Sequence, residues 1–442
     1  MQHNRFSLLK AEIAATRPSR AVGRIVRAGA GTVEARGLAE AAALGDGVRI
    51  DAARGPVGGE IVEITDQGVR ILPEGSGDGL RIGDPIVHQG PPTIAPHEGW
   101  IGRIVDGNGQ PIDGRPLPRG ALERPLRAPP PDAIRRRAMG ARLATGLAIF
   151  DTLLPVVRGQ RLGVFSGSGV GKSTLLADLG CGLEADVAVI SLVGERGREV
   201  KTFVERSLGK AGLARAVVVA ATSDRPPLQR RRAMWTAMAV AEHFRDAGRH
   251  VLFLADSVTR FAEAHREIAL AAGEAPALGG YPPSVAREIM ALAERAGPGD
   301  EASGGDITAI LSVLVAGADM DGPVADILRG VLDGHVVLDR AIAERGRFPA
   351  VDVLRSVSRS LPECASLEEN TLIALARKRL GAYDQAELMV QSGLYAAGSD
   401  AEVDAAVSVW PKLDAFVAER SPKGPAGAFA RLAAILGQPT RG

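Results

Sequence analysis

Residues 162–174, LGVFSGSGVGKST, contain in order an apolar run, a glycine-rich turn and the start of a helix-forming segment. This order of strand, turn and helix predicts a P-loop, in which backbone N–H groups surround phosphate oxygens. Gly167, Gly169 and Gly171 suit that task because a Cβ there would crowd the anion. The turn departs from the usual pattern once, since Ser166 stands at the position of its first glycine.

The predicted P-loop defines a phosphate site and its metal. We expect Lys172 to neutralise the β- and γ-phosphates and the hydroxyl of Ser173 to ligate Mg²⁺. The helix that follows adds its positive N-terminal end. The sequence therefore predicts bound ATP and Mg²⁺, with these residues in contact with the nucleotide: Gly167, Ser168, Gly169, Val170, Gly171, Lys172, Ser173 and Thr174.

Three further side chains follow predicted strands close to the P-loop. Asp256 ends the buried run VLFLAD, where we expect it to hold Mg²⁺ directly or through water. Glu195 and Arg196, in GERGREV, follow the strand after the P-loop helix. Because the carboxyl ends of parallel strands converge on the ligand crevice, we expect Glu195 to orient water near the γ-phosphate and Arg196 to touch that phosphate. The other interpretation of this segment is a solvated charge cluster.

The region around the P-loop predicts an α/β fold with a mainly parallel sheet. Its strand candidates are nearly continuous apolar runs, as expected of strands buried on both faces. Helical stretches such as Lys172–Leu183 and Arg230–Ala247 lie between several of them, which indicates right-handed βαβ units. The strand candidates are Leu162–Phe165, Val187–Leu192, Val217–Ala220, Val251–Ala255, Ile307–Val315 and Val336–Leu338.

The flanking segments predict two other domains. Short apolar runs about ten residues apart, separated by Gly and Asp, indicate a small antiparallel β-barrel over residues 17–90. Strand signals stop after residue 365, and residues 366–442 predict an all-α domain. Pro411 is expected to separate two of its helices or to open the second one. The expected helices are Leu367–Leu380, Tyr383–Ser392, Ala401–Trp410, Lys412–Arg420 and Ala426–Leu436.

The N-terminal residues 1–16 predict an amphipathic helix, since Phe6, Leu9 and Ile13 fall on one helical face. Such a helix docks on a partner or membrane surface, or packs on its own barrel, and the sequence leaves both interpretations open. The apolar run Phe6–Leu9 is too short for a signal peptide. We therefore expect a cytoplasmic chain that does not cross a membrane.

Composition disfavours several functional classes. The 442 residues include 53 basic and 52 acidic side chains, a formal net charge of +1 that argues against a nucleic-acid binder. Two cysteines, Cys181 and Cys364, make neither a disulfide framework nor a cysteine zinc site. Residues 17–89 contain no Phe, Tyr or Trp, so the stacking platform of an RNA-binding ring helicase is missing.

Several segments together resemble the flagellum-specific and injectisome type III secretion ATPases, relatives of the catalytic subunits of rotary ATP synthases. The resemblance covers nearly the whole chain and implies a β-barrel, a RecA-like ATPase domain over residues 91–365 and a helical domain. It implies an ATPase that energises protein export through a flagellar apparatus; an injectisome ATPase and a rotary synthase subunit are the alternatives. The segments are GSGVGKST, GERGREV, LADSVTRFA, GYPPSVAREIMALAERAG, DMDGPVADILRGVLDGHVVLDR and FPAVDVLRSVSR.

The resemblance also implies roles for single residues. Glu195 matches the catalytic glutamate and Arg196 the phosphate-contacting arginine. Phe348 matches the aromatic side chain that stacks on adenine, and Tyr395 is expected to close the other side of the base pocket. Arg359 matches an arginine finger that acts on the γ-phosphate held by the next subunit. A closed ring satisfies every such site, and the family implies six subunits.

Partners follow from the resemblance as well. The loop Gly273–Pro283 resembles the pore-facing loop of relatives, around a central stalk protein; the other interpretation is an ordinary surface loop. A stator-type regulator is expected at the N-terminal helix, and the export gate and chaperone–substrate complexes at the ring. The resemblance places the ring at the inner face of the membrane, with peripheral membrane association allowed. A nucleotide-binding subunit that never turns over is the non-enzymatic alternative, and Glu195 argues against it.

Overall fold

The computed structural model of the chain describes residues 19–29, 31–301, 304–315, 320 and 322–438. The amphipathic helix predicted over residues 1–16 lies outside them. Among the described residues, no helix combines the length and the apolar character that crossing a bilayer requires.

The first part of the described chain is a closed antiparallel barrel. Its strands are β1 (Val22–Gly29), β2 (Thr32–Arg36), β3 (Gly47–Ala52), β4 (Gly55–Thr65), β5 (Gly68–Pro73) and β6 (Pro85–Gly90). They pair in the order β1-β2-β5-β4-β3-β6, and β6 closes the barrel on β1. Aliphatic side chains such as Ile25, Ile50 and Ile71 fill the interior, so the barrel predicted from the short apolar runs is confirmed.

A mainly parallel sheet forms the centre of the molecule. A small two-stranded sheet pairs β7 (Thr93–Ile94) with β9 (Arg124–Pro125) beside it. The strands of the large sheet are β8 (Arg103–Val105), β10 (Arg161–Ser166), β11 (Val187–Val193), β12 (Ala216–Ala221), β13 (His250–Asp256), β14 (Gly297–Pro298), β15 (Asp306–Leu314), β16 (Gly334–Leu338) and β17 (Val351–Ser358). Their order is β17-β16-β10-β15-β13-β11-β12-β8, with β14 paired to β15. Neighbouring strands are parallel except for the pairs β16–β17 and β14–β15.

The six buried strands predicted around the P-loop are all present, as β10, β11, β12, β13, β15 and β16. The sequence analysis missed β17, whose exposed positions interrupt any continuous apolar run. It also missed β8, which has only three residues. Continuous apolar runs therefore identified the inner strands of the sheet and not the two outermost strands, β17 and β8.

Helices cover the large sheet and form the C-terminal region. Helical turns of other types occur at Glu98–Trp100, Phe203–Leu208 and Leu278–Gly280. The helices are α1 (Ala148–Asp151), α2 (Lys172–Gly182), α3 (Gly197–Thr202), α4 (Gly209–Leu213), α5 (Pro227–Asp246), α6 (Val258–Ala271), α7 (Pro283–Arg295), α8 (Pro323–Val331), α9 (Arg340–Glu344), α10 (Leu367–Gln391), α11 (Ala401–Ala418) and α12 (Gly424–Ile435).

The C-terminal region corrects two expected helix breaks. Helix α10 runs without interruption where two helices were predicted, and α11 continues through Pro411. Pro411 is exposed and lies within the helix. The rings of Tyr383 and Trp410 stack at 4.3 Å between centroids, which packs α10 against α11 next to this proline. Packing between the helices therefore outweighs the local tendency of Pro411 to end one.

Two ion pairs join the barrel to α5. Arg231 donates to Glu60 at 2.5 Å, and both side chains are buried. Arg232 donates to Glu74 at 2.5 Å, beside a cavity of about 680 Å³ between the barrel and the rest of the chain. A buried ion pair is costly to break when one partner is removed, so these contacts hold the barrel in one orientation.

Candidate nucleotide site

The glycine-rich turn after β10 has the geometry of a phosphate cradle. Gly169 and Gly171 have φ angles of +80° and +86°, the left-handed region that favours glycine. A Cβ placed on Gly171 would lie 3.1 Å from Cδ1 of Phe348. The turn can therefore lie this close to the Phe348 ring only because Gly171 has no side chain. Lys172 is the first residue of α2, whose free N–H groups face the turn. The turn therefore fits the phosphates of a nucleotide.

Lys172, Glu195 and Asp256 meet at the carboxyl edge of the sheet, as predicted. The ammonium of Lys172 forms a short ion pair with Oδ1 of Asp256 and lies 4.0 Å from Oε1 of Glu195. Ser312, on β15, donates from its hydroxyl to the same Oδ1 at 2.8 Å. Sequence reasoning missed Ser312, because a serine within an apolar strand gives no local signal of this contact.

Burial changes the protonation of Glu195. Loss of solvent, followed by the charge of Asp256, raises the pKa of Glu195 from its ordinary value of 4.5 to about 7, while Lys172 acts in the opposite direction. A hydrogen bond with Glu199 raises the pKa of Glu195 further and lowers the pKa of Glu199. A carboxyl group that titrates near neutral pH suits proton transfer or water orientation.

Glu199 is a second residue that sequence reasoning did not single out. It is the third residue of α3, where its carboxylate accepts from the backbone N–H of Arg196, and a Glu at this position of a helix start was the available signal. Both carboxyl groups line a cavity of about 170 Å³, together with Ser173, Phe203 and Asp256. The cavity therefore joins the predicted water-orienting group to the predicted metal ligands.

The oxygen ligands present at this edge suit Mg²⁺. The described residues contain no group of three or more His, Cys, Asp or Glu side chains that could hold a metal by themselves. Mg²⁺ keeps several waters and combines one or two protein oxygens with substrate phosphates. Ser173 and Asp256, which line the same cavity, fit that donor set.

Two arginines near Glu195 differ in position. Arg196 precedes α3, and 74% of its side chain is exposed. Its Nη1 lies 4.0 Å from Oε1 of Glu199, so Arg196 is at the exposed rim of the cavity that Glu199 lines. Arg260, on α6, packs against Gly194, where an added Cβ would lie 2.9 Å from the Cβ of Arg260. The hydrogen bond that Arg260 donates to Glu263 chiefly raises the pKa of Arg260, and the charge of Glu195 contributes. The segment LADSVTRFA contains Arg260, but no local pattern in it predicts a role for this arginine.

The two predicted base-contacting aromatics lie in different parts of the chain. Phe348 lies three residues before β17 and is half-exposed, with its ring over Gly171. Tyr395 lies between α10 and α11, where its hydroxyl oxygen is 3.0 Å from the carbonyl oxygen of Asp400 and 2.9 Å from Oδ1 of Asp404, so these two acceptors share its one proton. Its ring is paired with no aromatic side chain in the part of the chain that the structure describes. The structure thus brings Phe348 to the phosphate cradle and engages Tyr395 among the C-terminal helices.

Arg359 lies near the amino ends of the parallel strands, whereas the P-loop lies at their carboxyl ends. Ser166, at the carboxyl end of β10, is level with Leu338, which pairs with Val351 at the start of β17. The antiparallel β17 then runs away from the P-loop, and its eight residues cover roughly 25 Å. Arg359 follows it, exposed, with its backbone N–H bonded to the carbonyl of Asp333. The guanidinium of Arg359 therefore cannot reach a phosphate held by its own chain.

The fold and this site define the class of protein: the nucleotide-binding domain of the ATP synthase alpha/beta family matches residues 146–358. A second family model, the C-terminal domain of the EscN ATPase of type III secretion, matches residues 365–421. The chain belongs to the family of flagellum-specific ATP synthases and type III secretion ATPases, and it is an ATPase.

Relatives and solved structures agree on this family. The flagellum-specific ATP synthase of Caulobacter vibrioides is 45% identical over 90% of this chain and 91% of that protein. The SPI-2 type 3 secretion system ATPase of Salmonella typhimurium is 44% identical over 81% of this chain and 82% of that protein. The assembled ATPase EscN from enteropathogenic E. coli superposes with a TM-score of 0.87 and 36% identity, covering 94% of this chain and all of that one.

Proposed function

We propose that this chain hydrolyses Mg²⁺-ATP at the boundary between neighbouring subunits and thereby energises protein export by a flagellar type III secretion apparatus. The observation that carries the proposal is the separation of two necessary parts. Lys172, Glu195 and Asp256 lie at the carboxyl ends of the parallel strands. Arg359 follows the antiparallel strand β17, which leads to the amino ends of those strands. One chain therefore supplies a phosphate cradle to one site and an arginine to another.

The residues at the cradle divide the chemistry among them. When bound, Mg²⁺ would neutralise charge on the phosphates, with Ser173 and Asp256 as its protein ligands. Lys172 pairs with Asp256 in this structure, and we infer that it exchanges that partner for the β- and γ-phosphates when the nucleotide enters. Glu195, once ionised, orients the attacking water. The amides of residues 167–174 and the rim arginine, Arg196, bind the remaining phosphate oxygens.

Base recognition is proposed for Phe348. Its ring lies over Gly171, so a base that extends from the cradle can stack on it. Tyr395 remains a proposed second contact, which requires the C-terminal helices to approach Phe348.

The arginine geometry also supports a ring. A contact in which each chain uses two different surfaces is head-to-tail, and closure of such contacts leaves no site incomplete. We propose six subunits around a central stalk protein, with the loop 273–283 facing that stalk. One solved relative is the assembled ATPase EscN in complex with its central stalk EscO, at a TM-score of 0.84. A stator-type regulator at residues 1–16, the export gate and chaperone–substrate complexes complete the proposed partners, at the cytoplasmic face of the membrane.

Mixing two inactive variants tests the shared site. Lys172→Ala removes the cradle but keeps Arg359, whereas Arg359→Ala removes the arginine but keeps the cradle. In randomly mixed rings about one interface in four is complete, so a 1:1 mixture should recover about a quarter of the wild-type rate. The measurement is phosphate release at protein concentrations where sizing shows rings.

A matched mixture controls for non-specific rescue. Lys172→Ala and Glu195→Gln both damage the cradle side of the interface, so no combination of these two chains completes a site. This mixture should stay inactive. If the Lys172→Ala and Arg359→Ala mixture shows only the sum of its separate activities, hydrolysis does not use Arg359 from a neighbour and the proposal is wrong.

A further inference from the structure

The residue before Phe348 holds the segment that carries this aromatic ring. The side chain of Arg347 is largely enclosed, with 10% of it exposed. Its Nη1 donates to the carbonyl of Pro349 at 3.2 Å and its Nη2 donates to the carbonyl of Val351 at 2.9 Å. One guanidinium thus binds the backbone on the far side of Phe348, which restricts where the ring can lie.

The same guanidinium connects this segment to the C-terminal helices. Nε of Arg347 lies 2.9 Å from Oδ1 of Asp414 on α11. Two residues earlier, Nη1 of Arg345 donates to Glu387 on α10 at 3.0 Å. The guanidinium of Arg345 also lies 6.0 Å from the centre of the Trp410 ring. Residues 345–351 are therefore attached to both long helices while Phe348 faces the P-loop.

Burial makes the pairing with Asp414 consequential. A buried guanidinium whose carboxylate partner is removed is left as an uncompensated charge, so the surrounding segment rearranges to solvate it. Arg347 cannot move toward water without releasing the carbonyls of Pro349 and Val351. A change at Asp414, on α11, is thus transmitted through Arg347 to the backbone that follows Phe348.

We propose that Arg347 is a positioning residue for the base of the nucleotide: paired with Asp414, it holds Phe348 over the phosphate cradle and makes ATP affinity depend on the packing of α11. This inference rests on the proposed function, because it takes Phe348 as the contact of adenine. It predicts that the Arg347–Asp414 pair affects the base part of the nucleotide and not the phosphate part.

The test compares two ligands of the same cradle. MgADP reaches both the P-loop and Phe348, whereas magnesium pyrophosphate fills only the P-loop. Arg347→Gln and Asp414→Asn should each weaken MgADP binding roughly tenfold, equivalent to ~1.4 kcal/mol, and leave pyrophosphate binding within about twofold. In steady-state hydrolysis, KM for ATP should rise by the same factor while kcat changes by less than about twofold.

Three controls isolate the mechanism. Glu402 also lies on α11 and pairs with Lys378 of α10 at 2.9 Å, so Glu402→Gln removes a helix–helix ion pair away from residues 345–351 and should leave both affinities unchanged. Phe348→Ala should reproduce the selective loss of MgADP. Combining Phe348→Ala with Arg347→Gln should add little to either single change, because Arg347 acts through the ring.

The outcomes separate this inference from the proposed function. Wild-type MgADP affinity in both Arg347→Gln and Asp414→Asn overturns the inference alone. An equal loss of MgADP and pyrophosphate also overturns it, since that result indicates general damage to the site. A wild-type chain that binds neither ligand overturns the proposed function and this inference with it.

Discussion

The pH dependence of hydrolysis tests the environment of Glu195. Burial and the charge of Asp256 raise the pKa of Glu195 to about 7, and the proposed chemistry needs the ionised carboxylate. Around pH 6 about 9% of a group with this pKa is ionised, and around pH 8 about 91% is. Because kcat/KM reports the free enzyme, it should rise roughly tenfold between those two conditions. The assay is phosphate release at limiting ATP, in buffers of constant ionic strength.

A neighbouring carboxylate supplies the internal check. Glu199 raises the pKa of Glu195 through a hydrogen bond and through its charge, so Glu199→Gln should move the midpoint of the profile to lower pH. Glu205→Gln is the matched control: Glu205 is exposed and pairs with Lys201 at 3.9 Å, so its replacement should leave the midpoint unchanged. A flat profile in the wild type, or an unchanged midpoint in Glu199→Gln, would show that Glu195 does not titrate near neutral pH in the working enzyme.

The same pKa shift has a consequence for stability, with a definite sign. Between about pH 4.5 and 7 the folded chain binds more protons at Glu195 than the unfolded chain does. Its contribution to the free energy of unfolding is therefore largest on the acid side and decreases as pH rises through that window. Urea unfolding of wild type and Glu195→Gln across the window should show a difference in free energy of unfolding, wild type minus variant, that decreases as pH rises.

Three further substitutions have distinct expected results. Glu195→Gln should keep ATP affinity, measured with a fluorescent ATP analogue, and lower the hydrolysis rate by roughly 10²–10⁴-fold. Gly171→Ala should weaken ATP binding, because its φ of +86° disfavours a side chain by ~1–2 kcal/mol and the new Cβ meets Phe348 at 3.1 Å. Glu242→Ala should lower the free energy of unfolding by ~3–5 kcal/mol, measured in urea, because it leaves the buried guanidinium of Arg295 unpaired.

Each of these results has a clear counterpart that would contradict it. Near-normal turnover in Glu195→Gln would remove Glu195 from its proposed role. Unchanged ATP affinity in Gly171→Ala would show that the turn tolerates a side chain. Glu344→Ala breaks the exposed Arg340–Glu344 pair and should cost less than about 1 kcal/mol, so a similar cost for Glu242→Ala would mean that burial is unimportant there.

Local sequence patterns predicted the parts of the fold that depend on neighbours in the chain. The P-loop follows from glycine spacing between an apolar run and a helix, and six buried strands follow from continuous apolar runs. Their parallel order then places Asp256 and Glu195 at one edge, as expected. The break predicted at Pro411 failed because stacking of Tyr383 on Trp410 couples residues that are distant in sequence.

Other properties depend on contacts that no local pattern records. The partners that give Glu195 its unusual pKa come from different strands and helices. The contacts of Ser312, and of Arg347 with Asp414, likewise join distant segments. Sequence patterns cannot identify such pairs, because the same residue types occur throughout the surface.

By itself the sequence determined that this chain carries a phosphate cradle on a parallel sheet, since a P-loop needs only a strand, a turn free of Cβ atoms and a helix. Tertiary structure alone decided where the remaining chemistry lies. Because β17 pairs antiparallel with β16, the chain runs from Phe348, beside the cradle, to Arg359 at the amino ends of the parallel strands. Because strand direction is set by pairing and not by local composition, only the folded sheet shows that Arg359 lies far from the phosphate cradle of its own chain.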